Sequence, residues 1–360
     1  MSNPAIAHID LQALHYNLAQ IKKLTPQAKI LAMVKSNAYG HGAVPVAKSL
    51  ENSIDAFGVI FVKEALALHG AGIKKTIVVL TGFFDSEELI TISNLGFNTV
   101  IHNFEQLEIL AKTKLIKPLQ VWFKIDTGMH RLGFQPHEVL RAYKLLQDNP
   151  QVKKPLYLMT HFSDADEITH AKTLKQLACF TSVTKDLAGI KCLSNSSAIL
   201  QWPEAHSEWV RPGITMYGVS PIANKTGADF GLKPVMTLTS RLIAVHQLNK
   251  GETVGYGSTW TCSEDMSVGI ISIGYGDGYP RNTRPGTPIL INGVRCNLIG
   301  RVAMDMTAVD LRPLPNAKVG DIATMWGNKL PIEEVAQGSD SIAYELFCRM
   351  TQRVHFEYLT

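Results

Sequence analysis

The sequence predicts an α/β protein: an N-terminal (β/α)8 TIM-type barrel followed by a C-terminal mostly-β domain. Three observations carry this expectation. Apolar runs alternate with helical patterns through the first two-thirds of the 360 residues. Those runs are short and apolar on both faces, as parallel strands covered by helices must be. Beyond a loop-like segment at residues 221–234 the texture changes to alternating and β-branched runs divided by turn signals.

Taken in order, a short segment at 5–10 leads into the helical pattern LQALHYNLAQIKKL. The apolar run ILAMV follows at 30–34, then AVPVAKSL at 43–50. Strand-like AFGVIFV precedes helix-like KEALALHGAG, and TIVVLTG precedes SEELITISNLG. NTVIHN, FEQLEILAKTKL, LQVWFKID, EVLRAYKLLQ and PLYLMTHF continue the alternation. A helical stretch at about 168–187, KCLSNSS, a short helical piece and WVRPGITMYG complete it. About eight strand–helix units suit a closed barrel better than a doubly wound sheet, which is the alternative. The turn after ILAMV also lacks the G-x-G-x-x-G of a dinucleotide fold. In the second part, MTLTSRLIAVHQL, MSVGIISIGYG, PILINGVRCNLIG, MTAVDL and DIATMWG read as strands, with a helical stretch near 341–350. We expect the barrel over 8–225 and the β domain over 226–360, with which the first few residues are free to pack.

Composition narrows the function classes. The chain is 46% hydrophobic and 18% charged, enough for a large core and unlike a disordered chain. Its net charge of +4 is scattered, which argues against nucleic-acid binding. Five dispersed cysteines without a CxxC read as free thiols in a reducing compartment. The N-terminus lacks the pattern of a signal peptide, and no apolar run nears the ~20 residues that span a bilayer. A cytoplasmic protein binding neither membrane nor metal is expected.

Barrel active sites gather at the carboxyl ends of the strands. Lys35 follows ILAMV, where loss of hydration favours the neutral amine a Schiff-base lysine needs. A lysine snorkelling from a strand edge is the competing reading. Tyr39, Gly40 and Gly42 form a tight turn beside it. Arg131 follows WFKID, His161 follows LYLMT, Asn195 and Ser196 follow KCL, and Arg211 and Gly213 follow EWV. Gly213 permits close backbone approach to an anion. Each side chain alone reads equally as structure, but together they suggest a lysine and a phosphate site at one mouth.

The segment AMVKSNAYGHG resembles the pyridoxal-phosphate lysine signature of alanine racemases. KIDTGMHRLGF, THFSDAD, NSSA and VRPGITMYG follow in that family's order. VGYGSTW, GYGDGYPR, GRVAMDM and AYELFCRM are similar to its remaining motifs, so the resemblance spans nearly the whole chain. It implies the fold type III of pyridoxal 5′-phosphate enzymes and interconversion of L- and D-alanine. Lys35 would hold the cofactor aldehyde and act as one base, and Tyr256 would be the base on the opposite face. Tyr39, Ser196, Gly213, Ile214 and Tyr344 would hold the phosphate. Arg211 would face the pyridine nitrogen, with His161 between it and Tyr256. Arg131 and the Met304 backbone would position the substrate carboxylate, Lys124 would be a carbamylated buttress for Arg131, and Tyr275 and Asp305 would line the entrance. The family's two-fold homodimer would share each site between subunits. Ser36, His130 and Ala303 depart from common residues of the family without removing a reacting group.

Racemisation takes a proton from one face of the α-carbon and returns one to the other, so it needs two bases. Tyr256, with an ordinary phenol pKa near 10, would need cationic surroundings to serve. A guanidinium such as Arg211 cannot accept the proton of a ring nitrogen, which disfavours transamination and decarboxylation. Other type III enzymes (a broad-specificity racemase or a basic amino-acid decarboxylase), a non-catalytic cofactor-binding protein and a cofactor-free barrel are the rivals. Without the resemblance, Tyr256 reads as a tyrosine packed in its own β-domain core, Asp305 as a turn aspartate and His41 as a surface-loop histidine.

Overall fold

The computed structural model describes residues 4–167, 169 and 171–360. Strand β1 (Ile6–Asp10) leads into a helix (Leu11–Leu24). Eight parallel strands follow: β2 (Lys29–Met33), β3 (Ala56–Val59), β4 (Thr76–Val79), β5 (Asn98–Ile101), β6 (Val121–Lys124), β7 (Leu156–Met159), β8 (Gly189–Cys192) and β9 (Trp209–Val210). They pair in chain order and β9 returns to β2, closing the barrel expected from the sequence. β3 and β6 are buried along their whole length, which is why these runs lack polar alternation.

Helices begin where the sequence supplies caps. Asp85 accepts from the Glu88 N–H, Asn103 from Gln106 and Asn195 from Ala198. The helical stretch expected at 168–187 is a helix over Lys172–Val183, and Ile168 lies outside the described residues.

Side-chain parity fixes what faces the barrel interior. On β6, Phe123 packs outward on Phe134 and on Tyr143 of the helix Val139–Gln147. Trp122 and Lys124 therefore point the other way, and Trp122 stacks on Tyr157 with Trp209 edge-on at 5.3 Å. Tyr157, Met159 and His161 share that interior parity, as do Trp209 and Arg211. Lys29 lies 5.7 Å over the Trp209 ring, so Lys29, Leu31 and Met33 continue the same face of β2. Lys124, His161 and Arg211 thus reach the carboxyl mouth by one rule, and Lys35 stands just past the end of β2 at that mouth.

The second unit is a sheet of β10 (Met236–Leu248), β13 (Met266–Ile271), β14 (Pro288–Ile291), β15 (Val294–Ile299), β16 (Thr307–Asp310) and β17 (Ile322–Trp326), with β11 (Thr253–Val254) and β12 (Trp260–Thr261) forming a separate hairpin. β10 pairs with both β13 and β17, which closes those six strands on themselves. β1 adds antiparallel to β10, and β18 (His355–Leu359) adds parallel to β1. For this reason the described residues through Asn17 group with the β unit, together with Tyr217–Ser220 and Lys225–Thr360. The barrel unit is Leu18–Met216 with Pro221–Asn224. Of the residues that the sequence reading placed in the barrel domain, 8–10 belong to β1 on the ladder of β10, and 11–17, in the helix that follows, group with the β unit as well. Besides the expected helix at Ala343–Cys348 there is one at Ile332–Gly338, too short to announce itself by periodicity. All five cysteines are free thiols.

Candidate active site

Lys35 opens a backbone feature that sequence patterning does not reveal. Ser36, Asn37, Ala38 and Tyr39 have φ of 51°, 54°, 54° and 51°, a left-handed turn of four non-glycine residues, and Gly40 ends it at 77°. Left-handed backbone costs L-residues roughly 1–2 kcal/mol each, so this turn stores about 4–8 kcal/mol. The surroundings hold it. Glu64 Oε1 accepts from the Ser36 N–H at 2.7 Å, and Asn37 Oδ1 accepts from the Ala43 N–H at 2.8 Å. His41 is fully buried behind the turn, not in the exposed loop position the sequence suggested. The expectation failed because the G-H-G string reads as a surface turn, whereas the turn folds back on itself.

The turn brings Tyr39 against Gly213. A Cβ on Gly213 would stand 2.5 Å from the Tyr39 hydroxyl oxygen, so the backbone approach that glycine permits is used here. The Gly213 N–H donates to Ser196 Oγ at 2.9 Å, and Ser196 Oγ lies 3.1 Å from Thr215 Oγ1. Ile214 and Thr215 are buried beside them. Hydroxyls, a backbone amide and a phenol thus form a small polar cradle. Asn195, singled out in the sequence beside Ser196, is occupied as a helix cap. Gly213→Ala is expected to weaken binding of inorganic phosphate at least about tenfold and to cost about 1–3 kcal/mol of stability, since its Cβ would press on the buried Tyr39 ring. Equilibrium dialysis and thermal melts check both; wild-type affinity would remove the cradle from consideration.

Above the cradle the site is cationic. Arg211 is buried, with its guanidinium donating to the carbonyls of Cys192, Thr160 and Leu193 at 2.6, 2.6 and 2.9 Å. It also donates to Cys192 Sγ at 3.1 Å and stands 3.4 Å from His161 Nδ1. Burial, then the charges of Arg211, Lys124, Arg131 and Lys35, hold the His161 pKa well below the usual imidazole value. Its ring is neutral at pH 7.

Burial brings the Lys124 pKa down from 10.5 to about 7, helped by Arg211, Arg131 and Lys35 and opposed by Asp126. The unfolded chain then binds more protons than the folded one between pH 7 and 10.5. Stability is therefore expected to rise with pH across that window, by at most about 5 kcal/mol from this residue. The cost of the buried ammonium is complete below pH 7. Thermal melts of the unmodified protein in CO2-free buffer check the slope, and Lys124→Met should flatten it. A slope that survives that substitution would mean another group carries it.

Arg131 reaches the mouth on a loop built by Asp126. Asp126 Oδ1 accepts from the N–H groups of Gly128, Met129 and His130 at 2.9, 3.1 and 3.1 Å, and Oδ2 accepts from Gln135. Burial pushes this carboxyl up, but those hydrogen bonds together hold its pKa below the ordinary value. Its charge is thus committed to the loop. Gln176, buried on the helix Lys172–Val183, donates to Thr127 Oγ1 and the His161 carbonyl and accepts from Ser163, clamping two mouth loops. Sequence reading missed Glu64, Thr215 and Gln176. Only the D-T-G string around Asp126 carries a local signal, that of an Asx turn.

The barrel unit therefore assembles Lys35, Tyr39, Lys124, Arg131, His161, Ser196, Arg211, Gly213 and Ile214. Tyr256, Tyr275, Met304, Asp305 and Tyr344 belong to the β unit. There, the Tyr275 N–H donates to the Ala303 carbonyl and the Gly276 N–H to that of Met304, at 3.1 and 2.8 Å. Arg353 pairs with Asp305 at 2.8 Å and Asp277 at 3.1 Å, so these loops form one rim. Tyr344 is half-buried on its helix. Tyr256 is 72% exposed on a 3-10 turn, which overturns the reading of it as a packed core tyrosine.

The chain matches two family models, alanine racemase N-terminal domain over residues 9–221 and C-terminal domain over 235–358. It is 47% identical over 353 residues to the alanine racemase of Shewanella amazonensis, covering 97% of each chain. It is 48% identical over 355 residues to that of Vibrio atlanticus, covering 99% of each. Among solved structures, the biosynthetic alanine racemase of Pseudomonas aeruginosa superposes with a TM-score of 0.97 at 42% identity, covering 99% of this chain and 100% of the other.

Proposed function

The chain belongs to the alanine racemase family, and from that premise we propose that it racemises alanine with pyridoxal 5′-phosphate and two opposed bases, Lys35 and Tyr256. The observation that carries this is the convergence of Lys35, Lys124, Arg131 and Arg211 on one mouth beside the Gly213–Ser196 cradle. Such a concentration of cationic groups suits an anionic cofactor and a carboxylate substrate, since charge of one sign attracts its opposite. Tyr39, Ser196, Gly213 and Ile214 would take the phosphate, with Tyr344 closing it, and Lys35 the aldehyde. When bound, the cofactor supplies the electron-withdrawing ring that makes the substrate α-proton removable.

This chain's own residues do the rest. Lys35 holds or releases a proton at Nζ on one face, and Tyr256 at its phenolic oxygen on the other. Arg131 and the Met304 backbone grip the substrate carboxylate, and Tyr275 and Asp305 narrow the entrance. Arg211, permanently charged and fixed by backbone carbonyls, cannot take a proton, and the neutral His161 beside it relays toward Tyr256. A lysine whose pKa is near 7 has enough neutral amine to add CO2, and a carbamylated Lys124 would set a negative charge against Arg131. The exposed Tyr256 is the second base of a two-fold homodimer in which the subunits share their sites. Among the described residues no helix is long and apolar enough to cross a membrane. The place of action proposed here is the cytoplasm. There the product would feed peptidoglycan synthesis, or D-alanine would be catabolised.

The test is a racemisation assay on L-alanine, L-serine, L-lysine and L-arginine, with and without added cofactor. Alanine turned over fastest, and only with cofactor, is the expected result. Preference for a basic amino acid, or turnover by cofactor-free protein, would overturn the reading.

A further inference from the structure

His41 is a buried titratable residue that the proposed chemistry leaves unused. Its Nδ1 lies 2.9 Å from the Tyr39 carbonyl oxygen and 3.1 Å from that of Ala38. Carbonyl oxygens only accept, so Nδ1 carries the proton and donates to both. Burial lowers the pKa to about 4 against the raising effect of these backbone bonds, so the ring stays neutral in working conditions. Glu64 fastens the amide at the entry of the left-handed turn, and Asn37, from within it, holds the Ala43 amide beyond its exit. His41 grips its end, at the carbonyls of Ala38 and Tyr39, the two residues before Gly40.

We propose that His41 is a positioning residue, whose Nδ1–H bonds to Ala38 and Tyr39 hold the left-handed turn in the geometry that aims Lys35 and Tyr39 into the mouth. The strained backbone supplies the reason. Four successive residues in the left-handed region relax to ordinary φ unless something holds them. Lys35 stands immediately before the first of those residues and Tyr39 is the last, so one loosened turn displaces both. The aromatic ring of Tyr39 lies 5.9 Å below Lys35 Nζ, which ties the two groups together. The inference rests on Lys35 being the cofactor-bearing amine.

The test uses the cofactor-loaded enzyme with His41→Leu, His41→Asn and His41→Gln. An asparagine amide places its N–H near the position of Nδ1, whereas a glutamine amide places it near Nε2. The leucine variant is expected to lose about 100-fold in kcat, with KM for alanine changed less than about threefold, because a displaced reacting group slows chemistry more than binding. It should also bind pyridoxal 5′-phosphate about tenfold more weakly. Asparagine should restore both to within about fivefold, and glutamine should not. Folded leucine variant with wild-type kcat, or asparagine and glutamine variants equally impaired, would overturn the proposal. If the leucine variant does not fold, the other pair still decides. Independently of activity, 15N-labelled histidine should report a neutral Nδ1–H ring from about pH 6 to 9; an Nε2–H ring would overturn it too. Borohydride reduction followed by peptide mass spectrometry separates the two readings. A label on another lysine sinks the Lys35 assignment and this inference with it. A label on Lys35, with asparagine and glutamine alike, sinks this inference alone.

Discussion

Lys35→Ala is expected to lower kcat for both directions of racemisation by at least ~10⁴-fold, because one side chain is asked to anchor the cofactor and to carry a proton. The loss should leave the fold intact, since the core of β2 is made by Ile30, Leu31, Ala32 and Met33 rather than by Lys35. Thermal melts should therefore shift by little, and the Gly213–Ser196 cradle should still bind inorganic phosphate. Added primary amines should restore part of the activity, more so for amines of higher basicity, because they replace the missing proton carrier without the tether. A folded Lys35→Ala protein within tenfold of wild-type kcat would show that another group carries the chemistry.

Tyr256→Phe is the second large effect, and its signature is asymmetric. The enantiomers have equal free energy, so kcat/KM must fall equally in the two directions whatever the mechanism. Asymmetry is visible only in the half-reactions. In D2O, the variant should still exchange the α-proton of the enantiomer served by Lys35, returning it without inversion. Exchange from the other enantiomer should fall by about 10²–10⁴-fold, the range for a lost general base. Equal slowing of both exchanges would exclude opposed bases. The exposure of Tyr256 makes this substitution clean: 72% of its surface contacts no part of its own unit, so Phe costs little stability.

Much of the site was legible because barrel sites gather at the carboxyl ends of the strands. Once β2, β6, β7 and β9 were read as strands, Lys35, Lys124, His161 and Arg211 had to sit at one mouth. Gly213 and Ser196 were legible from the short loops that follow β9 and β8, where a glycine lets the backbone approach an anion and a hydroxyl can meet it. What stayed hidden arose from contacts distant in sequence. Gln176 reaches the mouth from a helix whose pattern looks like any other amphipathic face. Glu64 meets the Ser36 amide across 28 positions. His41 looked like a loop residue because nothing local announces a left-handed turn.

By itself, then, the order of residues determined the alternation of strand and helix, the face each side chain takes along a strand, and the set of chemical groups placed at the mouth. These follow from periods of two and 3.6 residues, which are properties of the local backbone. The tertiary structure alone decided the membership of β1 in the second unit, the strained turn under Lys35 and Tyr39, and the protonation of Lys124 and His161. The physical reason is that ladder partners, backbone strain and desolvation are set by neighbours brought from far along the chain, and no local period encodes them.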